Sequence, residues 1–295
     1  MAFRKATRKQ VKFKGALIGP SGSGKTWSAL AIGTSLGGKV AVIDTEAGSA
    51  ERYAGDFDFD HDVLTDFSPE SYVEKLQEAH AEGYDVIIVD SLSHEWGRLL
   101  HDVDRFGGWK EATPRHDRFV QSLVKVPCHL IATIRAKTMY DVSEVPRGDG
   151  RGMRQEIVKL GLGPIQRDNV EYEFDLVGMM DLDNTLRVVK SRISPIPTGS
   201  LIDKPGAELA GVLLNWLNEG EEVKPPEEAT PESIVALVKL LMEEGYPQET
   251  IDARMRQRKL EMGAITPEYV ADQTALAQVR LQKKRDEAGQ KEEAA

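Results

Sequence analysis

The chain has 295 residues, of which 40% are hydrophobic and 29% are charged, and this composition predicts a globular protein with an ordinary core. No apolar run reaches the length of a membrane span and the basic N-terminus lacks a signal peptide's apolar stretch, so we expect a cytoplasmic protein without a membrane partner. The single cysteine, Cys128, excludes an internal disulfide and a cysteine metal cluster. The net charge of −10 argues against indiscriminate coating of polyanions.

Hydrophobic patterning divides the chain into four parts. We predict a basic arm (1–14), an α/β domain (15–218), a charged, proline-rich linker (219–231) and a small helical module with a charged tail (232–295). In the α/β domain, apolar runs predict buried parallel strands at 15–19, 40–44, 85–90 and 128–134. Helical spacing at 26–36, 69–82 and 113–124 adds the crossover helices, and 171–180 with 185–192 predict an antiparallel hairpin. Three further helices are predicted at 231–245, 248–260 and 267–285.

The first strand leads into a glycine-rich motif that fits the pattern G-x-x-x-x-G-K-[ST]. Its residues are Gly19, Pro20, Ser21, Gly22, Ser23, Gly24, Lys25 and Thr26. Glycines let backbone N–H groups converge on phosphate oxygens, and the following helix presents its positive end. The motif predicts nucleotide binding, with Lys25 on the β- and γ-phosphates and the Thr26 hydroxyl on Mg²⁺.

Hydrolysis at such a site also needs carboxylates. Asp90 ends an apolar strand and is predicted to hold Mg²⁺ together with Thr26. AAA-type motors carry a glutamate directly after this aspartate, but here that position is Ser91. Glu46, just past another core strand, is therefore the predicted base for the attacking water, and Glu95 is the competing candidate.

Several motifs follow one another in a fixed order along the chain. They are Gly19-Pro20 to Lys25-Thr26, Val42 to Glu46, Tyr53, Asp90-Ser91, Ile134-Arg135-Ala136-Lys137 and Val188 to Arg192. In this order they resemble the RecA family of recombinase ATPases, and more narrowly the short phage ATPases of the Sak-four type that accompany single-strand annealing systems. The resemblance covers about residues 10–200. It implies a RecA-like P-loop core with a mainly parallel sheet plus an antiparallel hairpin, and the small helical C-terminal module replaces the family's large C-terminal domain.

The resemblance also implies roles for individual residues. Glu46 matches the family's catalytic glutamate, and Tyr53 matches a tyrosine that stacks on adenine. Lys190 and Arg192 match two cations that reach the ATP of a neighbouring subunit, which implies a homo-oligomer, filament or ring, with ATP at the subunit interface. Thr133 stands where the family has a sensor glutamine that couples the γ-phosphate to DNA. A threonine can still donate a hydrogen bond there, but over a shorter reach.

Two segments are predicted to contact single-stranded DNA. From Arg135 to Arg167 a glycine-rich stretch carries seven cations against four acids, and we interpret it as a mobile loop that follows a phosphate chain. Its predicted DNA-binding residues are Arg135, Lys137, Arg147, Arg151 and Arg154. The second segment interleaves aromatic and basic side chains at Arg105, Trp109 and Lys110.

The sequence thus predicts a Mg²⁺-dependent, DNA-stimulated ATPase that assembles on single-stranded DNA and assists annealing or strand exchange. A single-strand-binding or annealing protein is a candidate partner. Two alternatives stay open. One is a nucleotide-dependent assembly or regulatory protein without DNA-coupled turnover, and the other is a ring-type DNA motor.

Overall fold

The computed structural model describes residues 10–105, 108–146, 153–221 and 227–293. The chain divides into two compact units. The first comprises residues 1–124 and 128–222, and the second comprises residues 125–127 and 223–295. Within the described ranges, no helix has both the length and the apolar character needed to cross a membrane.

The first unit contains nine strands and five helices among its described residues. The strands are β1 (Lys14–Gly19), β2 (Val40–Asp44), β3 (Asp60–Val63), β4 (Val86–Asp90), β5 (His129–Pro146), β6 (Met153–Pro164), β7 (Leu176–Met180), β8 (Thr185–Ser191) and β9 (Leu201–Asp203). The helices are α1 (Lys25–Leu36), α2 (Pro69–Ala81), α3 (Ser93–Arg105), α4 (Trp109–Lys125) and α5 (Ala207–Asn218).

The strands form one mixed sheet with the order β3-β2-β4-β5-β1-β7-β8-β9, and β6 pairs with β5 alone. All pairings from β3 through to β7 are parallel, whereas β7, β8 and β9 are antiparallel. The predicted α/β fold with a mainly parallel sheet and an added hairpin is therefore confirmed. Because parallel strands end at the same edge, Gly19, Asp44 and Asp90 share one rim of the sheet.

A continuous hydrophobic core holds this rim in place. Leu30 and Ile32 of α1 pack with Val42 and Ile88 of the sheet and with Leu213 of α5. All five side chains are at most 2% exposed. Since burial of one such side chain contributes roughly 1.5–3 kcal/mol, the strand ends are rigidly positioned.

The segment predicted as a mobile loop after residue 134 is instead a long antiparallel ribbon. Strand β5 continues to Pro146 and pairs with β6 from Ala136↔Pro164 to Pro146↔Met153. The register places Val142 opposite Ile157, and both are residue types that favour strands. Gly161 lies beside a register shift with φ of 118°, so this glycine serves an irregularity within a strand.

Other boundaries also differ from the prediction. The hairpin strand expected from residue 171 begins only at Leu176, because a short 3₁₀ helix (Val170–Glu173) precedes it. Helix α4 begins at Trp109, four residues before the predicted start at 113. Helix α3 and the short, exposed strand β3 were not predicted from the sequence, although α3 is strongly amphipathic.

The described residues of the second unit form three helices, α6 (Pro231–Glu243), α7 (Gln248–Met262) and α8 (Pro267–Glu293). The Thr230 hydroxyl caps α6 by accepting a hydrogen bond from Ser233 N at 3.3 Å. A small core of its own includes Leu237, Ile251 and Ala277. The helices agree with the three predicted ones, and α8 extends beyond the predicted residue 285.

Candidate active site

The glycine-rich loop lies between the end of β1 and the start of α1. Gly22 and Gly24 have φ angles of 81° and 79°, which L side chains rarely adopt. A Cβ on Gly19 would lie 2.5 Å from Ser23 Oγ and 2.9 Å from the carbonyl oxygen of Met180. Glycine is therefore required at these three positions of the turn, which precedes a helix N-terminus where backbone N–H groups can bind an anion. Within the turn, Ser23 N donates a hydrogen bond to the Pro20 carbonyl at 3.3 Å.

Asn184 packs against this loop, and sequence reasoning missed it. A Cβ on Gly24 would lie 2.8 Å from Asn184 Nδ2. Asn184 ends the β7–β8 turn with a φ of 63°, a conformation that asparagine tolerates better than most residues. The signal in the sequence is the turn itself, Asp181-Leu182-Asp183-Asn184, but its proximity to the loop is a tertiary contact.

Lys25 bends back over the loop. Its ammonium group donates a hydrogen bond to the Pro20 carbonyl at 2.8 Å. Burial lowers the pKa of Lys25, and the nearby carboxylates of Asp90 and Glu46 act against this effect. A phosphate that displaced the carbonyl would add the negative charge that this partly desolvated cation lacks.

Asp90 is the buried acid of the site. Its carboxylate accepts hydrogen bonds from the hydroxyls of Thr26, at 2.7 Å, and Thr133. Burial raises the pKa of Asp90, and the two hydroxyl donors partly offset that rise. Hydroxyl and carboxylate oxygens are hard ligands of the type Mg²⁺ prefers, so Thr26 and Asp90 would suit a magnesium ion, which would neutralise charge on a bound phosphate. Among the described residues, no group of three carboxylate, histidine or cysteine side chains forms a separate metal site.

Glu46 is positioned by the loop after β2. The buried Asp44 carboxylate accepts hydrogen bonds from Glu46 N at 2.6 Å and Ala50 N at 2.9 Å, which fixes this turn. The Glu46 carboxylate then accepts two hydrogen bonds from the Arg135 guanidinium, one of them at 2.8 Å, and one from Ser91 Oγ at 3.3 Å. Burial acts to raise the pKa of Glu46, but the hydrogen bonds and charge of Arg135 outweigh it and hold the pKa below its ordinary value.

Glu95, the competing candidate base, has a different environment. Its side chain is fully buried. One oxygen lies 3.0 Å from His116 Nδ1, and the other accepts a hydrogen bond from Gln166 Nε2 at 3.4 Å. Gln166 also donates to the Leu92 carbonyl at 3.0 Å. Both oxygens of Glu95 thus have partners in a fully buried cluster between α3, α4 and the segment after the ribbon. Glu46 is also paired, but its carboxylate is partly exposed and lies close enough to Lys25 to act on the pKa of that lysine, so the geometry favours Glu46 as the base.

His94, which the sequence gives no reason to single out, lies beside the Glu46 loop. Its Nδ1 is 2.7 Å from Thr45 Oγ1, and its ring stacks on Phe67 with centroids 4.8 Å apart. Burial and the charge of Arg135 lower the pKa of His94. The neutral ring therefore supports the turn that carries Glu46.

Tyr53 lies in a short 3₁₀ helix (Ala50–Tyr53) after this turn. Its ring makes an edge contact with Trp27, with centroids 5.7 Å apart. Phe57 makes a second edge contact with Trp27 at 4.8 Å. The residue predicted to stack on adenine is thus adjacent to the first turn of α1.

Lys190 and Arg192 share an environment, as the alternation of a strand requires. The Lys190 ammonium donates to the carbonyls of Glu171, Tyr172 and Phe174 at 2.9, 2.5 and 2.7 Å. Arg192 donates to the Tyr172 carbonyl at 2.8 Å and pairs with Asp175 at 3.6 Å. Burial and the charge of Arg192 lower the pKa of Lys190. Within one protomer, both cations bind the 3₁₀ segment before β7, so any contact with ATP remains a prediction about an assembly.

The predicted DNA-binding residues have several different environments. Arg135 is paired with Glu46, Lys137 is exposed at the base of the ribbon, and Lys110 is exposed at the start of α4. Trp109 is 47% exposed and lies 5.8 Å from Trp96 between ring centroids. Arg147 and Arg151, and the side chains of Arg105 and Arg154, lie outside the described residues.

A glycine-rich loop between β1 and α1, its lysine and threonine, and an aspartate ending a neighbouring strand together define a P-loop nucleotide-binding site. Residues 11–196 match the model of the AAA domain family, a span of more than half the chain. The protein therefore belongs to the AAA domain family, and this membership implies a nucleotide-binding ATPase. The search of curated proteins found no match.

Proposed function

We propose that this protein is a RecA-like ATPase of the phage recombination type, which binds Mg²⁺ and ATP and acts on single-stranded DNA in annealing or strand exchange. One observation carries the proposal. Thr133, Arg135 and Lys137 alternate along β5 and so share a strand face. Thr133 contacts Asp90, Arg135 contacts Glu46, and Lys137 is exposed where β5 continues into the ribbon.

At the phosphate end, each residue has a distinct task. Thr26 and Asp90 would hold Mg²⁺, which neutralises charge on the phosphate oxygens when bound. Lys25 and the loop N–H groups bind and orient the β- and γ-phosphates. Glu46 orients the attacking water and accepts a proton from it. Thr133 keeps the Asp90 carboxylate oriented.

At the ribbon end, the base of the strand offers a surface for a phosphate chain. Lys137 lies opposite Gly163, which has no side chain to cover it. A polyanion bound here attracts the nearby Arg135 as well as Lys137. Such attraction competes with the ion pair between Arg135 and Glu46. DNA binding can thereby change the pKa and the orientation of Glu46, the proposed catalytic base.

This route predicts a pH effect for the Arg135→Gln variant. Arg135 holds the pKa of Glu46 below its ordinary value, so the native base stays ionised to lower pH. Without the guanidinium, burial raises this pKa, and the acid limb of the pH profile of kcat/KM for ATP shifts to higher pH. Arg98→Gln is the control, because Arg98 pairs with Asp102 outside the site. An acid limb unmoved in Arg135→Gln would contradict the pairing with the base.

The DNA part of the proposal is tested by fluorescence anisotropy with a labelled oligodeoxythymidine across a salt series. Lys137→Ala is expected to weaken binding and to reduce the log–log salt slope by about one, because one phosphate contact is lost. Lys39→Ala is the matched control, since Lys39 is exposed directly before β2, at the opposite edge of the sheet. Equal DNA affinities and equal salt slopes for the native protein, Lys137→Ala and Lys39→Ala would place the DNA away from the ribbon base. If the native protein did not bind the oligonucleotide, the DNA function would be refuted.

One observation favours a second candidate, a nucleotide-dependent assembly protein with little turnover. Glu46 is held in an ion pair by Arg135. Thr133 also has a shorter side chain than the sensor glutamine of the RecA family, which this chain resembles. Turnover that stays negligible with and without DNA, in a protein that oligomerises on ATP, would favour this function.

A further inference from the structure

An aromatic cluster lies next to the phosphate loop. Trp27 directly follows Thr26, so its Cα is one peptide unit, about 3.8 Å, from that of the predicted magnesium ligand. Its side chain is 44% exposed although the next three residues of α1 are buried. The core therefore does not account for a tryptophan at this position.

Two other rings hold the Trp27 side chain in one orientation. Tyr53 meets it at an interplanar angle of 82°, and Phe57 meets it at 71°. Such edge-to-face contacts are favourable and specific in geometry. Tyr53 and Phe57 also pack against the main core as partly buried side chains. The result is a braced indole with a large exposed surface beside the first turn of α1.

We propose that Trp27 supplies the stacking surface for the nucleobase of a bound nucleoside triphosphate, and that Tyr53 and Phe57 are positioning residues that brace it. This inference rests on the nucleotide binding in the proposed function, but not on DNA. It differs from the role that the RecA resemblance implies for Tyr53, since the ring with the large exposed surface is the indole. A bicyclic indole offers the most stacking area to a bicyclic purine, which makes ATP or another purine nucleotide the preferred ligand class.

The test separates base binding from phosphate binding. Calorimetry would compare two ligands in Mg²⁺, the non-hydrolysable β,γ-imido analogue of ATP and inorganic tripolyphosphate, which has no base. Trp27→Ala is expected to weaken binding of the analogue by roughly 5- to 150-fold, the equivalent of one lost base stack, and to leave tripolyphosphate binding unchanged. Trp27→Phe should recover most of the affinity.

A spectroscopic readout distinguishes stacking from a merely structural role. The chain has four tryptophans, and the ATP analogue should quench a part of the emission that is missing in Trp27→Phe. Tripolyphosphate should quench neither protein.

Three results would overturn the proposal while leaving nucleotide binding itself in place. Unchanged analogue affinity in Trp27→Ala, with loss in Tyr53→Ala, would assign the base to Tyr53. If Trp27→Ala lost tripolyphosphate binding to the same extent, the indole would only support the structure of the phosphate loop. A native protein that binds tripolyphosphate and the analogue equally would have no base subsite. A native protein that binds neither ligand would instead refute the nucleotide-binding part of the proposed function, and Trp27 with it.

Discussion

Glu46→Gln is expected to lower the rate of ATP hydrolysis by about 10²- to 10⁴-fold and to leave ATP affinity nearly unchanged, because an amide cannot accept the proton of the attacking water. The substitution keeps the shape of the side chain and can still accept hydrogen bonds from Arg135 and Ser91. Steady-state phosphate release and binding of the ATP analogue measure the two quantities separately.

Glu51→Gln provides a matched control. Glu51 lies in the 3₁₀ helix after the Glu46 turn, and its exposed carboxylate lies 2.7 Å from His61 Nε2. Its replacement should leave turnover at the native rate. Native turnover in Glu46→Gln, together with loss in a folded Glu95→Gln variant, would move the base to Glu95 and contradict the assignment.

Lys190→Ala is expected to lower turnover by about 10³- to 10⁵-fold if its ammonium group acts on the ATP of the neighbouring subunit as a cation supplied in trans does. In its own protomer, Lys190 binds three backbone carbonyls, so its removal also deprives those oxygens of a donor. An unchanged circular dichroism spectrum and unfolding midpoint would show that the fold persists. Arg187→Ala, an exposed position on the same strand, should keep native turnover.

Mixing two inactive variants distinguishes action across a subunit boundary from local support. In a head-to-tail assembly, a Lys190→Ala subunit contributes an intact Glu46, and a Glu46→Gln neighbour contributes an intact Lys190. Random mixing should restore about a quarter of the native activity, because a quarter of the interfaces combine the two intact halves. If the mixture stays inactive although it assembles, Lys190 acts within its own subunit.

The parts of the site that short motifs encode were predictable from sequence. The loop from Gly19 to Thr26 needs glycine at fixed positions, and an apolar strand that ends in Asp90 has few alternative interpretations. The buried strands β1, β2 and β4 were predicted to within one residue because their apolar runs are short and bounded by turns. Residues close together in the chain determine these features, so they can be predicted from a single sequence.

The remainder depends on contacts between distant segments. The segment was predicted as a loop because it is rich in glycine, while the strand pairing, such as Val142↔Ile157, joins two separate stretches of the chain. The contact of Asn184 with the loop and the pairing of Arg135 with Glu46 likewise span many residues. Arg135 shows the limit most clearly, because the sequence alone predicted a DNA contact for it and gave no sign of its pairing with Glu46.

We propose that strand β5 connects the phosphate site to a surface that binds nucleic acid. Steady-state ATP hydrolysis in Mg²⁺, with and without single-stranded DNA across a salt series, tests it most directly. We expect stimulation by DNA that fades as salt rises, since the proposed phosphate contacts at the ribbon base are electrostatic. Turnover that is insensitive both to DNA and to salt would contradict it and leave an ATPase whose partner is not DNA.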